Sequence, residues 1–180
     1  GKLAALCQGI PAALTGMRCK RLVGWQVKNV AFQPGGSPAA HAVLDSFLQQ
    51  RAHGYQRHIS KPATSRVHCS RLSPYLAWGN LSLRQAYQAL KRRQRQGGWG
   101  QALSAFESRL HWHCHFIQKF EMECRMEFED LNRGYLAHPR HHDAEHLSAW
   151  REGRTGYPLI DACMRCLLQT GYINFRSRAM

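Results

Sequence analysis

A short segment rich in hydroxyl and basic side chains, VHCSRLSPYLAWGNLS at 67–82, is the first candidate for chemistry in this sequence. A helix that begins here presents free backbone N–H groups and the positive end of its dipole. Ser70 and Ser73 add hydroxyl groups, and Arg71 adds a positive charge. This combination suits a phosphate or diphosphate, although serines at helix starts are also common as simple caps. Both interpretations stay open on these residues alone.

A second candidate is the aromatic and basic segment AFESRLHWHCHFIQKFE at 105–121. On a helix, Arg109, Trp112 and Phe116 share one face because their spacing is i+3 and i+4. An arginine beside an exposed tryptophan can pair with a phosphate and stack on a nucleobase. The alternative is that Trp112 is a core residue.

The histidine and cysteine patterns do not predict a metal site. The His-x-His-x-His run at 111–115 has i, i+2 spacing, which directs alternate side chains apart on a helix. Only His111 and His115 share a face, and no carboxylate is placed to help them. Cys163 and Cys166 lie inside a predicted helix without a second pair of ligands, so we predict neither a metal site nor a redox site there.

The composition favours a polyanionic partner. Lys and Arg number 25 against 11 Asp and Glu, which gives a net charge of +14 in 180 residues. Nucleic acid, a phosphate-rich cofactor and an anionic membrane surface all fit this charge, and a basic surface without a partner is the alternative. The basic run at 91–95 ends a predicted helix, where cations also favour the helix dipole.

The cysteines and the hydropathy indicate the compartment. Seven cysteines without a disulfide-framework spacing are typical of reduced thiols in a cytosolic or nuclear protein, and of these two we expect a cytoplasmic one. No run approaches eighteen apolar residues, so no transmembrane helix is expected. The chain begins with Gly rather than Met, and residues 1–35 show little periodicity. We therefore expect a missing N-terminus and interpret 1–35 as a linker or the tail of a preceding element.

Capping signals divide the rest of the chain into helices. Ser37 with Pro38 predicts an N-cap followed by a proline at the first helical position, and Ser82 with Gln85 forms a capping box. The predicted helices begin at 37 and then cover about 72–78 (capped by Ser70), 82–96, 101–123, 143–151 and 158–170, with loops at 61–69 and 131–141. No segment alternates with a period of two, so we predict an all-α fold with six or so helices.

Two of these helices carry clear face patterns. In 101–123 one apolar stripe follows the helical period, and its members are Leu103, Phe106, Leu110, Ile117 and Phe120. In 158–170, Asp161 and Arg165 are placed to pair at i+4. The arginines that follow it, Arg176 and Arg178, point to different sides if that segment is helical.

Three motifs in this order carry a resemblance to a known family. They are Cys-Ser-Arg-Leu-Ser-Pro-Tyr-Leu at 69–76, Phe-x-x-Arg-Leu-x-Trp at 106–112, and Trp-x-x-Gly-x-Thr-Gly-Tyr-Pro-x-x-Asp-Ala-x-Met-Arg-x-Leu at 150–167. Thr-Gly-Tyr at 170–172 follows them. Together they resemble the helical FAD-binding domain of the DNA photolyase/cryptochrome family over about residues 35–180.

The resemblance implies FAD as the cofactor and assigns residues to it. The Ser-x-Leu-Ser segment of the family holds the FAD diphosphate, an upstream aromatic contacts the flavin, and an arginine lies near the isoalloxazine ring. The implied FAD-binding residues are Tyr55, Cys69, Ser70, Arg71, Leu72, Ser73, Phe106, Arg109 and Arg178. Trp112, Phe175 and Arg176 match positions on the side of DNA and the flipped-out lesion.

The implied activity is light-driven repair of pyrimidine dimers in DNA by electron transfer from reduced FAD. No catalytic side chain is predicted, because the cofactor carries the difficult step and the protein supplies binding and electrostatics. A cryptochrome-like blue-light photoreceptor is the alternative within the family. A basic helical nucleic-acid-binding module without flavin is the alternative from another class.

Several positions and the length depart from the family pattern. Arg109 stands where Glu or Gln is expected, Phe175 where Asn is expected, and His113 where Arg is frequent, which favours a divergent branch. We expect a fragment truncated at both ends: 1–35 as linker or end of a missing antenna domain, and 36–180 as the N-terminal part of the FAD domain. The parent protein is expected to be a deoxyribodipyrimidine photo-lyase, whereas the 180-residue chain alone should be inactive and bind FAD weakly or not at all.

Overall fold

Helices make up all the regular secondary structure in the described part of the chain. The computed structural model describes residues 31–139 and 141–180, so most of the predicted 1–35 linker lies outside the described residues. The α-helices are α1 Ser37–Ser46, α2 Tyr55–His58, α3 Pro62–His68, α4 Ser73–Ala77, α5 Leu83–Arg95, α6 Gly100–Met122, α7 Ala144–Glu152, α8 Pro158–Thr170 and α9 Phe175–Ala179. A π-helical turn, Phe47–Arg51, and a 3₁₀ turn, Ala52–Gly54, connect α1 to α2. The predicted all-α class is confirmed, with more short helices than expected.

The helix α5 begins and ends where the local signals predict. The Ser82 hydroxyl accepts a bond from the Gln85 backbone N–H at 3.1 Å, and the Gln85 side chain accepts one from the Ser82 N–H at 2.9 Å. This reciprocal capping box satisfies two N–H groups that have no partner within the helix. Gly97 and Gly98 follow α5 with φ values of 77° and 72°, which a residue with a side chain rarely adopts.

The hydrophobic core lies between α1, α2, α5 and the first half of α6. At its centre the ring of Phe106 meets the rings of Phe47 at 4.7 Å and Tyr55 at 5.8 Å in edge-to-face geometry. Leu103 and Leu110 extend this buried face of α6. Such aromatic pairs add stabilisation beyond the apolar area that they bury.

The predicted stripe on α6 is buried only in its first half. The start of α5 meets α6 near Leu110 and Cys114, where Leu83 contributes to the same surface groove. Beyond this point Ile117 and Phe120 are exposed. The stripe therefore belongs to the core only as far as Leu110, because α6 is longer than the helices packed against it in the described part of the chain.

Three local predictions between 37 and 73 also need correction. Residues 62–68 form α3 rather than a loop, since Pro62 occupies the first turn, where its missing N–H leaves no bond unmade. Ser70 does not cap a helix, because α4 begins at Ser73 and is preceded by Leu72. The N-cap of α1 is Gly36, so Ser37 is already helical.

The helices α7 and α8 are held together by a buried carboxylate and a glycine. Asp161 accepts bonds from the backbone N–H and hydroxyl of Thr155, both at 2.7 Å, and from the Gly156 N–H at 3.0 Å. Gly153 ends α7 with a φ of 66°, and a Cβ there would lie 2.8 Å from the Asp161 carbonyl oxygen. The predicted pair of Asp161 with Arg165 is confirmed at 3.9 Å. These contacts give the Thr-Gly-Tyr-Pro-x-x-Asp motif a structural role.

Candidate functional site

A cationic cavity of about 350 Å³ lies beside the segment that contains the serine-rich motif. One wall comes from residues 71–80, another from residues 170–178, and a third from residues 32–35 of the predicted linker. Three guanidinium groups line it, those of Arg66, Arg71 and Arg178, and none of its described lining residues is acidic. A cavity with this lining is suited to an anionic ligand.

Arg71 is held in an uncommon backbone conformation at the wall of this cavity. Its φ is 58°, in the left-handed region that residues other than glycine rarely adopt. Its carbonyl accepts a 2.8 Å bond from the Gln33 side chain, and Leu72 beside it is buried in the core. The Arg71 Nε is buried without a hydrogen-bond partner among the described residues. A strained residue with an unpaired donor is a feature of ligand sites, because the missing acceptor can come from the ligand.

Arg51 holds the backbone around the start of the 69–76 motif by hydrogen bonds. The sequence analysis did not single out this arginine. Its guanidinium donates to the carbonyl oxygens of Val67 at 3.0 Å and Val43 at 3.1 Å, and also to that of Cys69. Burial and the nearby positive charge of Arg71 lower the pKa of Arg51 to about 10. The chain has thus placed two guanidinium groups close together, an arrangement that an anion at this site would relieve. The only sequence signal was an arginine that follows the apolar stripe of α1.

Tyr172 connects one wall of the cavity to α3. Its hydroxyl donates to the Ser65 hydroxyl at 3.0 Å, across a large separation in sequence. Burial raises the pKa of the Tyr172 phenol to about 12, so it is a neutral hydrogen-bond donor at physiological pH. Through this contact the segment that carries Arg178 is joined to α3.

Tyr55 and Phe106, both predicted to contact the flavin, lie in the core and outside the cavity lining. Burial raises the pKa of the Tyr55 phenol and that of the Cys69 thiol. The side chains of Tyr55 and Phe106 pack on each other beneath the segment 69–73. Among the predicted FAD-binding residues, the structure brings Arg71, Ser73 and Arg178 together in the cavity. The FAD-binding role of all nine residues remains a prediction.

A second cluster lies on the exposed face of α6 and at the start of α9. The Arg109 guanidinium lies 5.6 Å from the ring centre of Phe175, a cation–π geometry between residues far apart in sequence. Trp112 and Phe116 have their ring centres 5.6 Å apart. Trp112 is 48% exposed and Phe175 is 55% exposed, so Trp112 is not a core residue. Aromatic rings beside a guanidinium form a surface on which nucleobases stack.

The helix α9 separates its two arginines as predicted. Asn174 caps the helix by accepting a 2.8 Å bond from the Ser177 N–H. Arg178 lines the cavity, whereas Arg176 is exposed and is not among the lining residues. One arginine is therefore available to the cavity ligand and the other to the outer surface.

The described residues contain no group of three or more His, Cys, Asp or Glu side chains arranged to hold a metal ion. The cysteines in this part of the chain, at 69, 114, 124, 163 and 166, are free thiols. Among the helices of residues 31–139 and 141–180, none has the length and apolar character needed to cross a membrane.

Comparisons with known proteins agree on one family. Residues 106–180 match the family model of the FAD binding domain of DNA photolyase. The chain is 35% identical over 157 residues to the deoxyribodipyrimidine photo-lyase of Escherichia coli (strain K12), which covers 83% of this chain and 32% of that protein. It is 29% identical over 161 residues to cryptochrome-1 of Sinapis alba, and this match covers 83% of this chain and 30% of that protein. The crystal structure of a bacterial class III photolyase from Agrobacterium tumefaciens matches with a TM-score of 0.77 at 28% sequence identity. This match covers 83% of this chain and 30% of the photolyase.

The chain belongs to the photolyase/cryptochrome family. It spans about a third of the length of the relatives that it matches. FAD is the cofactor of this domain family, and the residues present fit it: the cavity offers guanidinium groups, the Ser73 hydroxyl and the unpaired Nε of Arg71 to a diphosphate.

Proposed function

We propose that this chain forms part of the flavin site of a light-driven DNA repair enzyme, a deoxyribodipyrimidine photo-lyase. The observation that carries the proposal is the cationic cavity beneath Arg71, in a chain whose family is named for FAD and DNA photolyase. The substrate is DNA that contains a pyrimidine dimer. In this enzyme the bound, reduced flavin supplies the photoexcited electron that splits the dimer.

In the proposed cofactor site, the nine residues assigned to FAD have different roles. Ser70, Arg71 and Ser73 donate hydrogen bonds to the diphosphate, and Arg71 also neutralises its charge. Arg178 lies across the cavity and adds positive charge near the flavin ring. Cys69, Leu72, Tyr55 and Phe106 hold this segment from the core side, and Arg109 closes the pocket towards the DNA.

The proposed DNA side is the exposed aromatic surface of α6 and α9. Trp112 and Phe175 offer ring faces to a base that is flipped out of the duplex, and Arg109 and Arg176 offer positive charge to phosphates or base edges. The net charge of +14 supports such a partner, because phosphate contacts supply most of the non-specific affinity for DNA.

The domain organisation is also part of the proposal. We assign residues 36–180 to the first part of the FAD domain and residues 1–35 to the connection from an antenna domain. The described residues 32–35 line the cavity, so the end of that connection contributes to the site. Free thiols among the described cysteines support a reducing compartment, and we place the protein in the cytoplasm.

A cryptochrome-like photoreceptor is the second candidate. The similarity to cryptochrome-1 of Sinapis alba supports it, together with Arg109 and Phe175 at positions where the family pattern has a carboxylate or amide and an asparagine. An arginine has only donors, so it offers no acceptor to a pyrimidine N–H. A helical nucleic-acid-binding module without flavin is the candidate from another class.

The test combines a flavin spectrum with a repair assay on the protein that contains this chain. Photo-lyase function predicts a flavin absorbance band after purification and loss of thymine dimers from irradiated DNA in blue light, with none lost in darkness. The Arg71→Ala variant should lose flavin, while Arg57→Ala, an exposed arginine outside the cavity, should keep it. Bound flavin without dimer loss would favour the photoreceptor, and DNA binding without flavin would favour the module.

A further inference from the structure

Three histidine rings meet at the end of α3, and neither the proposed cofactor site nor the proposed DNA side uses them. The rings of His58 and His68 are stacked, with their centres 4.1 Å apart and an angle of 16° between their planes. The ring of His53 lies edge-on to that of His68, with 5.8 Å between the ring centres. Gly54 makes room for this group, because a Cβ there would lie 2.5 Å from the Nδ1 atom of His68. Histidine gains and loses its charge near physiological pH, so this cluster is a candidate pH-sensitive element.

The contacts of the stacked pair suit two neutral rings. The Nδ1 atom of His58 lies 2.8 Å from the hydroxyl oxygen of Thr64. The Nδ1 atom of His68 is buried without a hydrogen-bond partner among the described residues. Both side chains are half-buried, so two positive charges on the stacked rings would repel each other with little screening by water or salt. The arrangement therefore favours the neutral form of both rings.

The charged groups closest to the pair are positive. Partial burial, the neighbouring ring of His68 and the positive charges of Lys61 and Arg57 lower the pKa of His58 from its ordinary value of 6.5. Among the described residues, no carboxylate forms an ion pair with any of the three histidines of the cluster. A proton on the stacked pair therefore finds no counter-charge here.

The elements packed on the other sides of the cluster also present cations. The guanidinium of Arg51, on the π-helical turn, donates to the backbone carbonyl oxygens on either side of His68. From α5, the guanidinium of Arg93 lies 4.4 Å from the ring centre of Trp99, and the centre of that indole is 5.6 Å from the ring centre of His53. The cluster is thus surrounded by arginine and lysine side chains, which disfavour its protonation.

The end of α3 is also the beginning of the segment 69–73. His68 is the last residue of α3, and Cys69 follows it directly. A helix of 7 residues is too short to be stable without tertiary contacts. The start of α3 is joined to Tyr172 through Ser65, whereas its last residue is held by the stacked rings. Loss of the stack would therefore loosen the last turn of α3 and the residues that follow it.

We propose that the stacked pair of His58 and His68 is a pH-sensitive latch, which holds the end of α3 and the segment 69–73 while both rings are neutral and releases them in acid. When α3 is released, His58 takes up a proton near its ordinary pKa of 6.5, whereas in the closed state it does so only at a lower pH. The stability that the contact supplies is therefore complete above this window and is lost as the pH falls through 6.5 towards the lower pKa of the closed state. The inference depends on the packing of α3 and not on the proposed flavin or DNA.

Hydrogen–deuterium exchange of the protein that contains this chain tests the latch. Peptides that cover 62–73 are followed at about pH 7.5 and about pH 5.5, and their rates are corrected for the intrinsic effect of pH on exchange. We expect the protection of these peptides to fall about tenfold at the lower pH, because protonation of one histidine in the open state shifts the opening equilibrium by about that factor over this range. Peptides of α5, a helix without histidine, should keep their protection.

Two variants separate the charge of the pair from its packing. His68→Phe keeps a planar ring in the stack that cannot be protonated, and His58→Gln keeps a polar side chain near Thr64. Both variants should lose most of the acid response of the peptides 62–73. The matched control is His41→Gln, which changes an exposed histidine on α1 and should leave the acid response as it is in the wild type.

Two results would overturn the latch. One is a wild-type protein whose peptides 62–73 are equally protected at both pH values, and the other is an acid response of wild-type size in either folded variant. Circular dichroism at the higher pH checks the fold of each variant, and if one variant does not fold, the other decides the test. The exchange readout needs neither flavin nor DNA, so failure of the latch leaves the proposed function to its own spectrum and repair assay.

Discussion

The two halves of the described chain are held together by different forces. Every buried hydrophobic residue except Met164 lies between Ala40 and Leu110, where apolar side chains of α1 to α6 interlock. In the second half the well-buried groups include Asp161 and Asn174, both polar, which organise helix ends through hydrogen bonds. The first half is therefore a packed hydrophobic core, and the second half is a set of helices whose ends are capped by hydrogen bonds.

The difference explains where the cavity lies. It forms where the apolar half meets the hydrogen-bonded half, with Arg71 supplied by one and Arg178 by the other. The bond from Tyr172 to Ser65 joins the halves beside it. Polar side chains at such a boundary keep unpaired donors that a fully packed core would not tolerate.

The largest expected effect comes from removing a ring at the centre of the apolar half. Phe106→Ala should lower the free energy of unfolding by about 3–5 kcal/mol, because it leaves a cavity against Phe47 and Tyr55. Phe120→Ala, on the exposed part of the same helix, is the matched control and should change it by less than about 1 kcal/mol. Urea denaturation measures both. Equal losses would contradict the division of α6 into a buried and an exposed part.

Removal of the half-buried Arg51 should have the next largest effect. Arg51→Ala deprives the carbonyl oxygens of Val43 and Val67 of their charged donor, and should cost about 2–3 kcal/mol of unfolding free energy. Arg57→Ala, an exposed arginine nearby, should cost almost nothing. Thermal denaturation compares the variants, and an Arg51→Ala protein as stable as Arg57→Ala would refute the positioning role of Arg51.

A smaller, pH-dependent effect is expected in the hydrogen-bonded half. Hydrogen bonds from Thr155 hold the pKa of Asp161 below its ordinary value of 3.8. The folded state therefore gains stability from this carboxylate above that value, and the gain is lost as the pH falls through the lower pKa of the folded protein. Asp161→Asn should lower the Tm by a few degrees at pH 7 and flatten the acid limb of the Tm profile.

The control for this prediction is Asp45→Asn, an exposed carboxylate on α1. Its Tm profile should follow that of the wild type at every pH. An acid limb for Asp161→Asn that is as steep as the wild-type limb would show that another carboxylate carries the effect.

The smallest expected effect concerns the contact between the two halves at the surface. A double-mutant cycle with Arg109→Gln and Phe175→Leu should give a coupling of about 0.5–1 kcal/mol, as is usual for an exposed cation–π pair. Chemical denaturation of the four proteins measures it. A coupling of zero would mean that the two residues do not hold α9 against α6.

The sequence predicted best those helices whose ends are set by signals from neighbouring residues. The bounds of α5, α7 and α8 follow from the Ser82 capping box, the glycines at 97 and 153, and Pro158, and each signal acts within a few residues. The helix α3 was missed because its sequence has no apolar period, and its place depends on contacts to Arg51 and Tyr172. The stripe of α6 did not indicate that Ile117 and Phe120 are exposed, because the pattern carries no information on the length of neighbouring helices.

The helical class, the excess of positive charge and the motifs typical of the photolyase/cryptochrome family can all be read from the amino-acid sequence. These depend on residue types and short spacings, which the chain carries whatever its conformation. The shared cavity of Arg71 and Arg178 and the contact of Arg109 with Phe175, in contrast, depend on how the helices pack. The physical reason is that these pairings arise when helices with apolar faces pack, and packing brings together residues whose separation in sequence gives no sign of it.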